Sequence, residues 1–480
     1  MKDFAFRSLD LAESLGASYA DIRIVDERTE SIAVKNGRVE EIGDSSSIGF
    51  GVRVIVDGAW GFAAGFEITG KEIDAVTSKA VEIARASALV KGESVFLSPA
   101  PSVEGSWASP YEIDPFSVSL DDKVTALLNA DEIMRSVKGV TLARSQMDFF
   151  RVKKTFASTE GSFVEQEITE SGAYISATAI REGEIQMRSY PNSHGSDSAQ
   201  AGYEWVERLD LRGYAERIGE EAVALLSADV CPSGEKDLIL DGNQLALQVH
   251  ESCGHPIELD RVLGMEASYA GTSFLTPDKL GNFKYGSEKV NIVADATIPR
   301  ALGSFAWDDE GIPAQRIEVV KEGVFVGYLT SRETAPKIGQ ASNGAMRADG
   351  WNRIPLIRMT NVNLEPGDKS LDEIIADTKD GIFMSTNKSW SIDDKRLNFQ
   401  FACEIAWEIK NGKLGKMLKN PNYTGITPDF WRSCDAVADE KSWRVWGLNN
   451  CGKGEPTQIM HVAHGTSPAR FRKVRVGIAR

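Results

Sequence analysis

The sequence is poor in cysteine and in positive charge. Its 480 residues include only five cysteines, and 54 Lys and Arg stand against 70 Asp and Glu, for a net charge of −16. A few scattered cysteines do not build a disulfide framework, so this usage indicates a reducing compartment. An acidic surface repels phosphate backbones, and the composition therefore argues against a nucleic-acid partner.

Long hydrophobic runs are also missing. No stretch approaches the roughly 18 apolar residues that a membrane-spanning helix needs. The N-terminal segment carries Asp3, Asp10 and Glu13 where a signal peptide needs an uninterrupted apolar core, so we expect no secretion signal. These absences predict a cytoplasmic protein with no membrane contact.

The first half of the chain has the periodicity of an α+β protein. Residues 1–97 follow a helix–strands–helix pattern, with a strong two-residue turn signal at Asp57-Gly58. Residues 98–110 contain three prolines and little periodicity, which is typical of a linker. Residues 111–227 repeat the helix–strands–helix order and predict a second α+β unit.

The second half, residues 228–480, is mostly strand-like and loop-like. One helix is predicted from Asn243 to about Gly254, with Pro256 ending it. The expected fold class is α+β, with an N-terminal α/β sandwich-like region followed by a β-rich C-terminal domain that carries this helix.

An H-E-x-x-x-H string occupies the end of the predicted helix. Two of the five histidines, His250 and His255, bracket it, and Glu251 follows the first. Five residues advance a regular helix by about 500°, which leaves the two imidazoles about 140° apart. Both can face one metal ion only if a π-bulge or an unwound last turn intervenes, and Gly254 and Pro256 favour such an irregularity.

This string suggests zinc chemistry. Two imidazoles and one further ligand leave an open position at which zinc activates water, and Glu251 is placed to act as the general base. Two ordinary histidines near a helix end, with a solvated glutamate, are the competing interpretation. The string alone leaves both open.

Cys451 is the best candidate for a third metal ligand. It belongs to Asn449-Asn450-Cys451-Gly452-Lys453-Gly454, a polar, glycine-rich segment that predicts a turn, and Lys453 is near enough to favour a thiolate. The other four are interpreted as packing residues: Cys253 beside Gly254, Cys403 on a buried strand face, Cys434 on a short helix, and Cys231 before a proline.

The pair His461-x-x-His464 is a competitor, because i, i+3 spacing on a helix can also chelate a metal. Its neighbours Met460, Val462 and Ala463 indicate a strand or loop instead. A supporting or substrate-binding role is therefore the better interpretation than a second metal site.

Three arginines, Arg347, Arg353 and Arg358, lie between Gly344 and Asn361. They are candidates for lining a peptide channel or for stabilising an oxyanion. In a protein with this net charge, pairing with acidic neighbours is the preferred interpretation for each of them.

Several motifs together resemble the TldD half of the TldD/PmbA metallopeptidases. The N-terminal segment Tyr19–Ile24 is similar as well, so the resemblance spans nearly the whole chain. The C-terminal motifs, in family order, are HESCGHPIELD (His250–Asp260), WDDEGIPAQ (Trp307–Gln315), IRMTNV (Ile357–Val362) and NCGKGEP (Asn450–Pro456).

The resemblance implies that His250, His255 and Cys451 bind one zinc ion per chain and that Glu251 is the catalytic base. It further implies a paired molecule, either a homodimer or a heterodimer with a PmbA/TldE-type subunit. The metal would then face an enclosed space that admits only short or unfolded peptides, bound as an extended strand at a sheet edge.

Zinc-dependent hydrolysis of small or unfolded peptides is therefore the expected function. The alternatives are a zinc amidase that acts on a non-peptide substrate, and a peptide-binding or scaffolding subunit with a structural metal. Structural zinc sites usually have four protein ligands, and catalytic sites three plus water. Two histidines and one cysteine favour catalysis.

Overall fold

Alternating apolar residues build long strands in the first half of the chain. The structure is a computed structural model that describes residues 1–90, 92–193, 195–269 and 271–477, so His194 lies outside the described residues. In chain order the first half forms α1 (Lys2–Ser14), β1 (Tyr19–Lys35), β2 (Arg38–Val56), β3 (Ala59–Gly65), α2 (Gly70–Ala88), β4 (Glu104–Ala108), α3 (Leu120–Ser136), β5 (Val140–Ser158), β6 (Phe163–Arg181), β7 (Glu184–Tyr190), β8 (Asp197–Ala199), α4 (Glu204–Leu209) and α5 (Leu211–Leu225).

These strands form a single sheet in the order β3-β2-β1-β5-β6-β4, with β7 and β8 also pairing with β6. The two α+β units predicted from the sequence are therefore joined, because β1 pairs antiparallel with β5. The predicted linker, residues 98–110, contains a strand that the sequence analysis missed. That strand, β4, pairs in parallel with β6, and its five residues show no strong alternation that would have predicted it.

One face of this sheet is covered by helices and the other faces the C-terminal part of the chain. On β1, Ile24 packs in the core that includes α1 and α2, and Ile32 packs in the core that includes α3 and α5. Successive side chains of a strand point to opposite faces. Arg23 therefore points away from the helices, and its guanidinium donates to the carbonyl of Arg353 in the C-terminal half.

The second half begins with short strands and the predicted helix. In chain order it forms β9 (Asp229–Val230), β10 (Gly234–Leu240), α6 (Gly242–Val249), α7 (Leu259–Val262), β11 (Ile292–Asp295), β12 (Arg316–Lys321), β13 (Val324–Phe325), β14 (Met346–Arg347), β15 (Leu356–Ile357), β16 (Val362–Leu364), α8 (Leu371–Ala376), β17 (Asp380–Ile392), β18 (Asn398–Lys410), β19 (Lys413–Lys419), β20 (Asn422–Ile426), α9 (Thr427–Arg432), β21 (Cys434–Val437), β22 (Arg444–Lys453), β23 (Gln458–Thr466) and β24 (Ala469–Val476).

The largest C-terminal sheet closes on itself. Its order is β17-β10-β24-β20-β18-β19-β9, and because β17 also pairs with β18, five strands form a ring. Helix α6 follows β10, contacts β17 and β23, and is buried along its whole length. The separate hairpin β22–β23 packs beside the end of this helix, so the ring and the hairpin together position the H-E-x-x-x-H string.

The predicted α+β class, with a β-rich C-terminal part that carries the helix of the H-E-x-x-x-H string, is confirmed. Among the helices of the described residues, none has both the length and the apolar character needed to cross a membrane.

Candidate metal centre

Helix α6 changes its winding at the H-E-x-x-x-H string. Residues His250–Gly254 form a π-helical turn, in which the N–H of His255 donates to the carbonyl of His250, and a 3-10 turn (His255–Ile257) follows. The wider turn brings the two imidazoles together, with ring centroids 4.8 Å apart and planes at 87°. The expected π-bulge is confirmed, and it removes the geometric objection to the five-residue spacing.

Side chains around the π-turn satisfy two polar groups of Ser252, its backbone carbonyl and its hydroxyl. The hydroxyl of Tyr285 donates to the carbonyl of Ser252 at 2.7 Å, and the indole N–H of Trp431 donates to Ser252 Oγ at 2.9 Å. A Cβ built on Gly254 would lie only 2.0 Å from Met359 Sδ, so the turn passes very close to the core at that residue. These contacts explain why the irregular turn is stable in a buried position.

The structure brings His250, His255 and Cys451 together. Their donor atoms all lie within 4.8 Å of one another, and each residue is at most 4% exposed. The distance from Cys451 Sγ to His255 Nε2 is 3.8 Å. Tetrahedral zinc with ordinary bond lengths places its sulfur and nitrogen ligands about 3.6 Å apart. The donor set therefore fits a zinc ion with little adjustment.

The environment of Cys451 favours a thiolate. Burial raises the pKa of the thiol, but His250, Arg358 and His255 outweigh burial, so the pKa lies well below its ordinary value. The residue lies on strand β22 and not in the predicted turn. Lys453, expected beside the sulfur, instead donates to Asp260 at 2.7 and 2.9 Å.

The other four cysteines behave as packed thiols. Burial raises the pKa of each: to about 12 for Cys231, Cys253 and Cys434, and well above the ordinary value for Cys403. Cys434 opens strand β21 and does not lie on a helix, because α9 ends two residues earlier at Arg432. None of the four has the electrostatic environment that would make it a metal ligand.

His464 orients His250. Its Nδ1 lies 2.8 Å from the carbonyl of Val362, so Nδ1 carries the proton and Nε2 accepts. That Nε2 is 2.8 Å from Nδ1 of His250, which must then donate. The remaining nitrogen of His250, Nε2, keeps its lone pair for a metal. The supporting role considered for the His461–His464 pair is thus found at His464.

Glu258 orients His255 in the same way. Its Oε2 lies 3.0 Å from His255 Nδ1, and the carboxylate is fully buried near Arg261 and Lys453. Burial lowers the pKa of His255 well below its ordinary value, which favours the neutral imidazole that binds metals. Sequence reasoning missed Glu258, although its position three residues after a candidate histidine ligand was a usable signal.

Glu251 points into the same site and contacts a residue that the sequence did not single out. Arg396 Nη1 donates to Glu251 Oε2, and the two side chains are 16% and 8% exposed. Arg396 lies in the turn between β17 and β18 with a φ of +62°. Nothing in the local sequence distinguishes this arginine from its neighbour Lys395.

A cavity of about 460 Å³ adjoins the donor set. Strand β17 contributes Trp390, which is 46% exposed, to its rim. The other lining residues are Leu247, His250, Glu251, His255, Ser391, Ile392, Arg396, Leu448, Asn450, Cys451 and Gly452. The metal donors and the carboxylate therefore face a space that a small molecule or an extended chain can enter.

Two of the three candidate arginines hold the β22–β23 hairpin. Arg358 Nη1 donates to the carbonyl of Gln458 at 3.1 Å, and Nη2 donates to that of Cys451. Arg347 donates to the carbonyls of His461 and Met359. Pairing with acidic neighbours was the wrong interpretation for these two, because carbonyls take their donors. Arg353 lies 3.7 Å from Asp349, as expected.

A buried His–His–Cys group beside a carboxylate, at an irregular helix end in a β-rich domain, is the arrangement expected of a metallohydrolase. The chain belongs to the PmbA/TldA metallopeptidase family. Domain 1 of the family matches residues 20–84, the central domain matches residues 113–226, and the C-terminal domain matches residues 233–477. The resemblance inferred from the motifs is thereby confirmed.

Curated relatives are named as metalloproteases. A metalloprotease of Methanocaldococcus jannaschii is 32% identical over 436 residues, which cover 91% of this chain and 92% of the relative. A protein of Saccharolobus solfataricus named as a zinc metalloprotease TldD homolog is 22% identical and covers 98% and 99% of the two chains.

Solved structures share the whole fold. A protein from Thermotoga maritima superposes with a TM-score of 0.78 at 21% identity and covers 99% of this chain and 100% of its own. TldE from Thermococcus kodakarensis gives a TM-score of 0.74 at 18% identity, with 98% and 99% coverage.

Proposed function

We propose that this protein is a zinc-dependent peptidase that hydrolyses small or unfolded peptides. The observation that carries the proposal is the convergence of His250 Nε2, His255 Nε2 and Cys451 Sγ beside the Glu251 carboxylate. Family membership supports a metallopeptidase function, and the name of the Saccharolobus relative supports zinc as the metal.

Zinc, when bound, supplies a Lewis acid that activates water and polarises a peptide carbonyl. Glu251 accepts the proton of the attacking water and delivers it to the leaving amine. Arg396 holds Glu251 at the cavity wall and keeps a positive charge near the position where the carbonyl oxygen becomes negative.

Catalysis is favoured over a structural metal by the number of donors. Among the described residues, the group that could hold a metal ion has three members, His250, His255 and Cys451. The adjoining cavity leaves room for a further ligand. Structural zinc sites are usually closed by four protein ligands. The peptide would bind in an extended form, and the strand β17, whose end lines the cavity, offers a place for it.

We further propose that the active molecule is paired, as a homodimer or as a heterodimer with a PmbA/TldE-type subunit. The support is fold similarity: this chain and a TldE superpose over nearly their full lengths. A related chain of the same shape can form a pseudo-symmetric partner.

The test combines metal analysis with peptide cleavage. Wild-type protein should hold about one zinc per chain and cleave an unstructured peptide, and Glu251→Gln should keep its zinc while losing activity by a factor of about 10² to 10⁴. Cys451→Ala should lose both zinc and activity.

Cys231→Ala is the matched control, because it removes a buried thiol of the same domain that lies outside the donor group. It should retain metal and activity. Zinc binding that is unaffected by Cys451→Ala would disprove the ligand assignment, and an active Glu251→Gln enzyme would disprove the role of the base.

A further inference from the structure

A second cavity of about 440 Å³ lies between the N-terminal sheet and the C-terminal part of the chain. Its floor is the sheet face opposite the helices, where neighbouring strands place side chains in register. Glu27 of β1 lies opposite Val152 of β5, which lies opposite Ile168 of β6. The next row is Thr29, Phe150 and Glu170.

The roof comes from three C-terminal segments: the stretch 302–309, the stretch 347–349 and the β22–β23 hairpin. The hairpin separates this cavity from the metal centre. Cys451 and its neighbours line the metal cavity, whereas Asn449 and His461 line the second one. The two cavities are thus distinct spaces that share one wall.

Most charges around the second cavity are already paired. Lys154 Nζ lies 2.6 Å from Asp309, and His461 Nδ1 lies 2.5 Å from Glu170. Asp349 accepts the backbone N–H of Ile459 at 2.7 Å. These contacts leave two lining groups to be explained.

The first of these groups is the carboxylate of Glu27 on the floor. Within the described part of the chain, no hydrogen bond or ion pair joins it to another residue, and Lys154 affects it only at longer range. Burial raises the pKa of Glu27, and Lys154 opposes this shift.

The second group is Arg347 on the roof, which is 8% exposed. Its two terminal nitrogens donate to carbonyls of Met359 and His461, but its Nε is buried and has no partner among the described residues. A buried N–H without an acceptor is costly, so this N–H is suited to donate to a ligand oxygen.

Apolar and aromatic side chains line the same cavity as these two groups. Phe150 lies on the floor, and Phe305, Trp307 and Leu302 lie on the roof. The Phe150 ring packs edge-on against His461, with ring centroids 4.6 Å apart, and the guanidinium of Arg347 lies 5.7 Å from the Phe305 ring. The lining therefore combines apolar walls with an acidic group on the floor and a donor on the roof.

We propose that this cavity binds a small amphipathic zwitterion, a free apolar amino acid or a dipeptide, whose ammonium group faces Glu27 and whose carboxylate faces Arg347. The ligand bridges the N-terminal sheet and the C-terminal part. The proposal goes beyond hydrolysis at the metal centre and does not depend on it, because neither residue belongs to the donor group.

Calorimetric titration of the full-length Glu251→Gln protein with the dipeptide Phe-Ala tests this, since this background prevents cleavage if the peptidase proposal is correct. Glu27→Gln in this background should weaken binding about tenfold or more, which is the effect of losing a charge-assisted hydrogen bond. The matched control is Asp26→Asn, which removes the same charge from the adjacent, exposed position on the other face of β1, and it should leave affinity unchanged.

Changes in the ligand repeat the test without altering the protein. N-acetyl-Phe-Ala should bind weakly and should no longer distinguish Glu27→Gln from its background. Phe-Ala amide should also bind weakly, because it lacks the carboxylate that faces Arg347. Free phenylalanine distinguishes an amino-acid site from a dipeptide site. Tighter binding than that of Phe-Ala identifies an amino-acid site, and weaker binding identifies a dipeptide site.

Removal of metal with a chelator distinguishes the second cavity from the metal centre. Binding that persists in the metal-free protein supports the proposal, whatever the outcome of the peptidase test. Binding that disappears with the metal, or equal affinities of Glu27→Gln and Asp26→Asn, would overturn it.

Discussion

The metal centre and the junction between the two halves of the chain are both buried, but they handle charge differently. At the junction, Arg53 lies 2.6 Å from Asp21 and 3.9 Å from Glu310, and Arg23 lies 3.6 Å from Asp309. We call these five residues the junction cluster. Each of its charges faces an opposite charge supplied by the chain itself.

At the candidate metal centre, by contrast, the chain brings the lone pairs of its donor atoms together. His464 and Glu258 contact the Nδ1 atoms of His250 and His255. The Nε2 lone pairs of these two rings and the Cys451 sulfur therefore face one another. The junction cluster thus pairs its charges within the chain, whereas the candidate metal centre presents donor atoms that suit a cation.

The largest effect that tests this difference is expected from Arg53→Met. The change leaves Asp21 and Glu310 buried without their partner and should lower the free energy of unfolding by about 3–5 kcal/mol. Urea unfolding measures the loss. Arg28→Met, which breaks an exposed pair with Asp44, should cost less than about 1 kcal/mol. Similar losses in both variants would show that the junction cluster is not the stabilising element.

A smaller effect is expected from His464→Ala. Without its partner, the outer nitrogen of His250 no longer fixes the ring, and metal affinity should fall about 10- to 100-fold, as measured against a competing chelator. His461→Ala is the control, because this histidine lies on the same strand but faces Glu170. It should bind metal as the wild type does. An unchanged affinity in His464→Ala would contradict the orienting role.

Arg396→Gln tests the contact to the proposed base. The loss of its charged hydrogen bond to Glu251 should lower kcat about tenfold while metal content stays constant. Steady-state cleavage of an unstructured peptide gives the value. Lys395→Gln, in the same turn but exposed, should be as active as the wild type. Loss of metal in Arg396→Gln would instead indicate a structural role.

The last prediction concerns the pH dependence of stability and involves Asp308, next to the junction cluster. Burial and the neighbouring Glu310 raise the pKa of Asp308 to about 8. A pKa above that of the unfolded chain, which is about 4, means that folding favours the protonated form of Asp308. Stability should fall as pH rises from 4 to 8, by at most about 1.4 kcal/mol per pH unit. Asp308→Asn should flatten this slope, and parallel slopes in the two proteins would exclude the assignment.

The sequence was most informative where covalent spacing limits geometry. A separation of five residues cannot place the rings of His250 and His255 on one side of a regular helix, so the π-turn was predictable. The polar surroundings of Cys451 also distinguished it from the other cysteines. Both inferences depend on residues close to one another in sequence.

Contacts between distant residues were not predictable in this way. Arg396 meets Glu251 across 145 residues, and His464 meets His250 across 214. Strand β4 is also defined mainly by its partner β6, since its own residues alternate weakly. A single sequence records the residue type at each end of such a contact but not the folded path that joins them.

The pairing of β1 with β5 joins the two N-terminal units into one sheet. The two strands are in register from Asp21↔Ser158 to Lys35↔Arg144. Separation of the two N-terminal units would expose two long edges with unpaired backbone groups, which are templates for aggregation. A protease that cuts within residues 98–110 should therefore yield two fragments that remain associated and migrate as one species until a denaturant separates them.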